Sequence, residues 1–549
     1  LEIFEATLGL LSIALLLSGI AGKLQVPYPS LLVIGGLVLG LLGPQPFALS
    51  PSLAFALFLP PILFEAAFYT SWRDFRANLR PITSLAIGLV GLSTWVVAMV
   101  AHRLIPELPL GAAIVLGAIV SPPDAAAATA VLRRLRLPRR LSTIVEGESL
   151  MNDAVALVIY NFAVASVVTG QFSPSAAVLA LAGSVTGSVI LGVGIGWGLN
   201  RLIPLITDPL ISVAAGFIAA FSTYLAAEQV DVSGVLTVVA AGLFLAWRSP
   251  VNITADVRLS GTIVWRLVIF LLNAVAFILI GLQLPGIVAE LRDFSTIRLA
   301  EDAAIIGGTV IGVRLVWVMT LSQTVRFLGG ARARRNIGDW REALVIGWSG
   351  MRGLVSLAAA LALPHTIADG SVFPARALIL FLSFSVILAT LVVQGLSLGL
   401  LIRLVGLKDD DREDQEERMA RIEGANAAIA AIDRLAETPA LPREVLDRQR
   451  QVYLDRLQQA NDDGQSGTSD RSNSDFADAV LLTAIHAERH ALLALRQRQA
   501  LGDETLRKIQ RELDLAEITI KRRRPAYSKA TWLDIAHHPG ARRHPKAAP

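Results

Sequence analysis

The chain has 549 residues, of which 54% are hydrophobic and 17% charged, with a formal net charge of only +4. That composition is one of a polytopic, all-α membrane protein rather than a soluble globular domain. The absence of cysteine excludes disulfides, thiolate metal sites and thiol catalysis together.

Ile3 to Gly22 is the length of a membrane span and follows an acidic start at Glu2 and Glu5, where a secretory signal would be basic with a shorter apolar core. It is read as the first of about thirteen transmembrane helices. The first six segments are 3–22, 27–43, 52–70, 82–105, 109–132 and 141–168. The next four are 174–200, 207–227, 233–247 and 263–285, with 248–266 read as a surface helix merging into the tenth. The last three are 301–325, 342–364 and 374–403. Basic residues crowd alternate loops, as in Arg73, Arg76 and Arg80, then Arg133, Arg134, Arg136, Arg139 and Arg140, then Arg326 to Arg341. The opposite loops hold only Arg103, Arg292, Arg298 and Arg376. By the positive-inside rule the N-terminus is outside and the C-terminal region cytoplasmic, in a multi-pass protein of the cell inner membrane.

Two spans are interrupted. Pro122 and Pro123 remove two backbone donors from the fifth, which is expected to free carbonyls near Gly117 to Ile119. Gly347, Gly350 and Gly353 surround Ser349 and Arg352 in the twelfth. These spans are an odd number apart and so run in opposite directions. Paired interruptions of that kind are the pattern of inverted repeats around a midplane ion site.

Beyond the transmembrane domain, 1–405, the composition changes. Residues 406–475 form a charged helical linker region that ends in the flexible Asn461 to Asp475. Residues 476–549 form a helical C-terminal region, broken at Gly502-Asp503, with a basic tail. No catalytic or nucleotide motif stands out there, and its basic residues read as a solvated face, so no nucleic-acid partner is expected.

Charge inside the spans carries the chemistry, because an ionisable residue at membrane depth is costly and marks function by default. Asp124 lies in the fifth span, Glu148 and Asp153 in the sixth. On one helix Ser149 and Asp153 share a face, and Glu148 and Asn152 share its neighbour. A dehydrated Na⁺ takes oxygen ligands, so Asp153, Asp124, Ser149 and carbonyls freed by Pro122 and Pro123 suit it. Asp153 accepting either H⁺ or a cation, never both, is itself a mechanism of exchange. Two arginines, Arg314 and Arg352, also lie within spans and are expected to need acidic partners, Glu148 serving one of them. Glu65, after Pro60-Pro61 in the third span, either lines the path or anchors a helix. Four acids against two arginines favour a cation as cargo. The pattern therefore predicts a cation–proton antiporter and no enzyme. A cation channel, an organic-anion transporter using Arg352 and a membrane-embedded carboxylate enzyme are the rival classes.

With those residues in place, the chain resembles the bacterial sodium/proton exchangers among the monovalent cation–proton antiporters. The likeness is carried by GESLMNDAVALVIY (147–160), SPPDAAAATA (121–130), LPPILFEAAF (59–68), NAVAFILIGLQL (273–284) and GMRGLVSLAAALALP (350–364). It implies an inverted-repeat antiporter fold with broken crossing helices, elevator-like alternating access, a homodimer in the lipid bilayer, and Na⁺ or Li⁺ and H⁺ as substrates with no cofactor. K⁺ is the alternative cargo. Matched to the motif, Asp153 is the exchanging carboxylate, Asn152 its helix partner, Asp124 the acid of the unwound segment and Glu148 the partner of a buried arginine. The resemblance ties an Asn before the Asp to electroneutral exchange. The sequence departs from the pattern at Pro123 and Ala125, where many relatives place a threonine or small residue before the aspartate and a proline after it, and so has one hydroxyl ligand fewer.

Overall fold

The computed structural model describes residues 2–24, 26–43, 51–132, 137–170, 174–252, 255–291, 294–328, 339–367, 370–407, 412–436 and 443–462, with a few more between 485 and 519. Among the described residues the regular structure is helical, apart from one isolated bridge between Thr366 and Val372. The chain divides into two compact units, Leu1–Asp410 and Asp411–Pro549.

The first unit begins with α1 (Glu2–Leu24), α2 (Tyr28–Leu42), α3 (Pro51–Tyr69) and the short α4 (Trp72–Ala77). The helix of α3 runs on through Pro60 and Pro61. A continuous α5 (Leu79–Leu104) follows, containing a π-helical stretch at Ser84–Leu89. Then come α6 (Leu110–Val120), α7 (Ala125–Leu132) and α8 (Arg139–Thr169). Next are α9 (Pro174–Leu202), α10 (Pro209–Gln229), α11 (Gly234–Asn252), α12 (Ala255–Ala289) and α13 (Thr296–Leu328). The unit closes with α14 (Trp340–Trp348), α15 (Leu354–Leu361) and α16 (Arg376–Val405), the last with a π-helical stretch at Thr390–Gln394.

Among the described residues, nine stretches are long and apolar enough to cross a membrane, and Tyr28–Leu42, Ala56–Tyr69 and Gly234–Arg248 are shorter apolar helices. Continuous helix is what a bilayer demands, since its backbone groups find partners within the segment. Local signals start several of the helices. Asp208 accepts from Leu210 N at 2.8 Å and Ile211 N at 3.0 Å just before Pro209 opens α10, and Asp339 accepts from Trp340 N at 2.7 Å before α14. Of 248–266, the part from Ala255 does merge into the tenth span as the long α12, while 248–252 belong to the end of α11.

The order long helix, broken helix, long helix occurs twice, as α5–α6/α7–α8 and as α13–α14/α15–α16. Neighbouring contacts give the two broken helices their directions. Gly111, at the start of α6, abuts Val167 near the end of α8, whereas Glu342, at the start of α14, pairs with Arg140 at the start of α8 at 3.4 Å. The broken helices therefore enter from opposite ends of α8, which is inverted topology.

Around them, α2 packs along α12 and α9 along α11. The first pair approaches backbone to backbone: a Cβ on Gly36 would fall on the carbonyl of Ile278, and one on Gly281 on that of Val33. Small residues at such seams let membrane helices close on one another where no hydrophobic drive between them exists. In the second unit, α17 (Arg412–Leu435) and α18 (Arg443–Asp462) pack together, with Arg450 donating to Asp433 at 2.9 Å. Ile485, Leu492, Ile509 and Leu513 form a small apolar cluster there. Most of the expected linker, Asn461 to Asp475, and the expected break at Gly502-Asp503 lie outside the described residues.

Gly281→Val is expected to force α2 and α12 apart and lower stability by at least about 1–3 kcal/mol, the usual cost of overpacking. Gly312→Ala, on α13 with open space where its Cβ would go, is expected to be neutral in the same thermal unfolding assay on detergent-solubilised protein.

Candidate ion-binding site

The two breaks, Ser121–Asp124 between α6 and α7 and Ser349–Gly353 between α14 and α15, meet and satisfy one another. Asp124 N donates to Met351 O at 2.7 Å, joining the unwound strands directly. Arg352, from the second break, turns its guanidinium onto the C-terminal end of α6: Nε donates to Val120 O at 2.8 Å and a terminal nitrogen to Ser121 O at 3.2 Å. Its other terminal nitrogen donates to Gly350 O. Asp124, from the first break, does the converse. One carboxylate oxygen accepts from Ala126 N at 2.7 Å, in the first turn of α7, and the other from Leu354 N at 3.3 Å, where α15 begins. Each charge thus sits at the helix end whose dipole suits it, the cation at a C-terminus and the anion at two N-termini. Gly353 is required by this approach, because a Cβ there would overlap the Asp124 carboxylate.

Two expectations are corrected by this arrangement. Of the carbonyls expected to be freed near Gly117 to Ile119, that of Gly117 is not: Ser121 keeps its N–H and donates to it at 3.0 Å, and the Ser121 hydroxyl donates as well at 2.5 Å, whereas Pro122 and Pro123 bring no N–H to those of Ala118 and Ile119. The carbonyls that turn to side chains lie just beyond, on Val120, Ser121 and Pro123. Nor does Arg352 pair with an acid among the described residues; three carbonyl oxygens take three of its five N–H donors.

The other arginine behaves as expected. Arg314 on α13 makes a two-pronged pair with Glu148 on α8, at 2.5 and 2.7 Å, and adds a 3.2 Å bond to Ile346 O at the end of α14. Both side chains are 1% exposed, so this is a fully desolvated pair whose fork geometry only an arginine supplies.

One turn along α8, the Asn152 amide donates to Pro123 O at 2.8 Å, while its own oxygen is buried without a partner. The Ser149 hydroxyl accepts from Ala125 N at 3.2 Å. Asp153 differs from the other two acids of the site. It is 5% exposed, and among the described residues its carboxylate receives no hydrogen bond and no ion pair. The charges that reach it most strongly are those of Asp124 and Glu148, of its own sign. Glu65 lies half-buried on α3, which packs against α8, α11 and α15 and makes interactions of its own.

The sequence reading missed Thr390. It lies where α16 turns π-helical, and its hydroxyl accepts from Arg352 N at 3.1 Å, holding the second break as Asn152 holds the first. Four residues on, Gln394 is fully buried with both amide atoms unpartnered. A Thr and a Gln at a four-residue spacing inside an otherwise apolar span were the available signal.

A transporter with two antiparallel broken helices crossing at a buried, uncompensated carboxylate is the class that this fold and site define. The chain belongs to the sodium/hydrogen exchanger family, whose transmembrane profile matches residues 10–404. It is 34% identical over 510 residues to an uncharacterised Na⁺/H⁺ exchanger of Mycobacterium tuberculosis, covering 91% of this chain and 92% of that one. Over 423 residues it is 36% identical to a sodium, potassium, lithium and rubidium/H⁺ antiporter of Bacillus pumilus, covering 73% of this chain and 61% of the relative. Its fold is that of the sodium proton antiporter MjNhaP1 of Methanocaldococcus jannaschii, with a TM-score of 0.57 at 19% identity over 73% of this chain and 98% of that one. The protein is accordingly a multi-pass membrane transporter of monovalent cations and protons.

Glu148→Gln strands the buried Arg314 charge and is expected to cost about 3–5 kcal/mol of stability. The double variant Glu148→Gln/Arg314→Met should recover much of that loss in thermal unfolding. A single variant as stable as the parent would show that the pair does not hold α8 to α13.

Proposed function

We propose that the protein exchanges Na⁺ for H⁺ one for one, without net charge movement, by alternating access around Asp153. The observation that carries this reading is the unpartnered carboxylate. Glu148 is held by Arg314, Asp124 by two helix N-termini, and Arg352 by carbonyls, so one acid at the crossing is left for cargo. An isolated buried carboxylate must take up a proton or a cation to be tolerated at membrane depth. If each state of the cycle carries one or the other, no net charge crosses with the site.

Ser149, one turn before Asp153, offers the cation a hydroxyl oxygen, and Asp124 adds negative charge close by. Asn152 holds the unwound segment in place through Pro123. Glu65, on a helix packed against α8, stands on the ion's route. Li⁺ fits the same oxygen set, and K⁺ is an alternative cargo, supported by the breadth of cations named for the Bacillus pumilus relative. No cofactor enters the scheme, nor any enzymatic step. A channel would not need the proton competition that a single unpartnered acid supplies, and an anion transporter would meet the negative charge of Asp124 and Asp153 beside Arg352. The loop arginines support an inner-membrane protein with the N-terminus outside and the C-terminal region in the cytoplasm. It would act as a homodimer in sodium and pH homeostasis.

Proteoliposomes with an imposed pH gradient, clamped in voltage by valinomycin and K⁺, test the reading through ²²Na⁺ uptake; a parallel arm without valinomycin or added K⁺ follows ⁸⁶Rb⁺ for the K⁺ alternative. Uptake is expected to be indifferent to the clamped voltage and lost in Asp153→Asn, which keeps the side chain's size and removes its charge. Uptake that survives Asp153→Asn would put the site elsewhere, and uptake that follows voltage would refute one-for-one exchange.

A further inference from the structure

Tyr160 lies on α8, seven residues beyond Asp153. Seven residues of α-helix return to within about 20° of the same face and advance roughly 10 Å, so Tyr160 stands on Asp153's face, toward the end where α8 terminates. Helical side chains lean back toward the N-terminus, which tilts the phenol toward Asp153. The residue is 5% exposed, and its hydroxyl is buried with no hydrogen-bond partner among the described residues. A phenylalanine would fill the same space without leaving a donor and acceptor unsatisfied, so packing alone does not account for the hydroxyl.

Burial differs along the elements on the two sides of the site. On the side where α8 ends, α6 is buried at Ala112, Ala113 and from Val115 to Val120, and its start lies against the end of α8 at Gly111 and Val167. The half-exposed residues next to the site, Asp124, Ala125, Ala126, Thr129 and Ala130, lie along the first break and α7, on the other side. Arg376, at the start of α16, is the charge that reaches Tyr160, and it donates to Leu363 O at 3.2 Å just beyond α15. Between Asp153 and the membrane face carrying Arg376 there is thus one buried, uncommitted oxygen on the carboxylate's own helix face.

We propose that Tyr160 is the positioning residue of the ion path on the side where α8 ends: its hydroxyl is the first fixed oxygen that the cation and its water meet on the way from that side to Asp153. A phenol suits the task, since it accepts from water or ligates a cation as it sheds hydration and donates to water carrying a proton. It adds no charge to the cycle. The inference rests on Asp153 as the exchanging carboxylate.

Because the chain has no cysteine, Tyr160→Cys in this chain carries a single thiol. In proteoliposomes of determined orientation, a membrane-impermeant cationic methanethiosulfonate added at the face where α8 ends is expected to modify it and block exchange, and excess Na⁺ should slow the modification. Tyr160→Phe, which removes only the hydroxyl, should raise the apparent KM for Na⁺ about fivefold at that face, the effect of one lost neutral hydrogen bond. The KM at the opposite face should be unchanged, a one-sidedness that a merely structural role would not produce. A transporting Tyr160→Cys protein left unmodified from that face, or a Tyr160→Phe protein with parental KM on both, would overturn the proposal. Asp153→Asn in the same preparation separates the two ideas: exchange surviving there defeats the site itself, whereas its loss beside an indifferent Tyr160→Phe defeats only the role of Tyr160.

Discussion

Two helices broken at membrane depth leave half-helix ends without partners in their own helix, and the fold around the site depends on how those ends are satisfied. They satisfy each other. Arg352 of one break covers the carbonyl end of α6, and Asp124 of the other accepts from the amide ends of α7 and α15. The Asp124 N to Met351 O bond ties the strands together. An unsatisfied backbone group in a membrane interior is expensive, so neither break is tolerable without the other. The reciprocal arrangement makes the crossing one unit and commits two of its charges to structure.

Charge accounting at the crossing then becomes simple. Glu148 and Arg314 cancel in a dry, two-pronged pair that also reaches Ile346 O, so α8, α13 and α14 are pinned where the second break starts. Asp124 and Arg352 are balanced against helix dipoles rather than against each other. Asp153 is left with neither cation nor donor, beside an asparagine whose amide is spent on Pro123. A buried carboxylate in that position is not a stable resident of the membrane by itself. The same feature that makes it costly makes it selective for species that bring one positive charge.

Much of this was legible in the sequence, because prolines, glycines and ionised residues inside apolar runs are local signals. Pro122-Pro123 and the glycines around Arg352 announced both breaks, their separation by an odd number of spans announced their opposite directions, and the need of a buried arginine for an acid pointed at Glu148. What local signals do not carry is the crossing geometry. Nothing in the spacing distinguished Arg314 from Arg352 as the partner of Glu148, or indicated that Arg352 would be met by carbonyls. The Gly117 carbonyl fell outside the freed set because Ser121, ahead of the prolines, still has its N–H. Thr390 escaped notice because its task, accepting from a backbone amide some forty residues earlier in the chain, has no sequence period. The start of the long α12 was obscured for a plainer reason: polar residues there, Asp256 and Arg258, look like surface although the helix runs through them.

The central claim is that H⁺ and the cation compete for one carboxylate. Calorimetric titration of Na⁺ into the purified protein, in buffers of different ionisation enthalpy and across a range of pH, measures directly how many protons leave per cation bound. The account predicts that about one proton is released per Na⁺ wherever Asp153 is protonated beforehand, and that Asp153→Asn neither binds Na⁺ nor releases a proton. Na⁺ binding without proton release at every pH, or proton release persisting in Asp153→Asn, would contradict it.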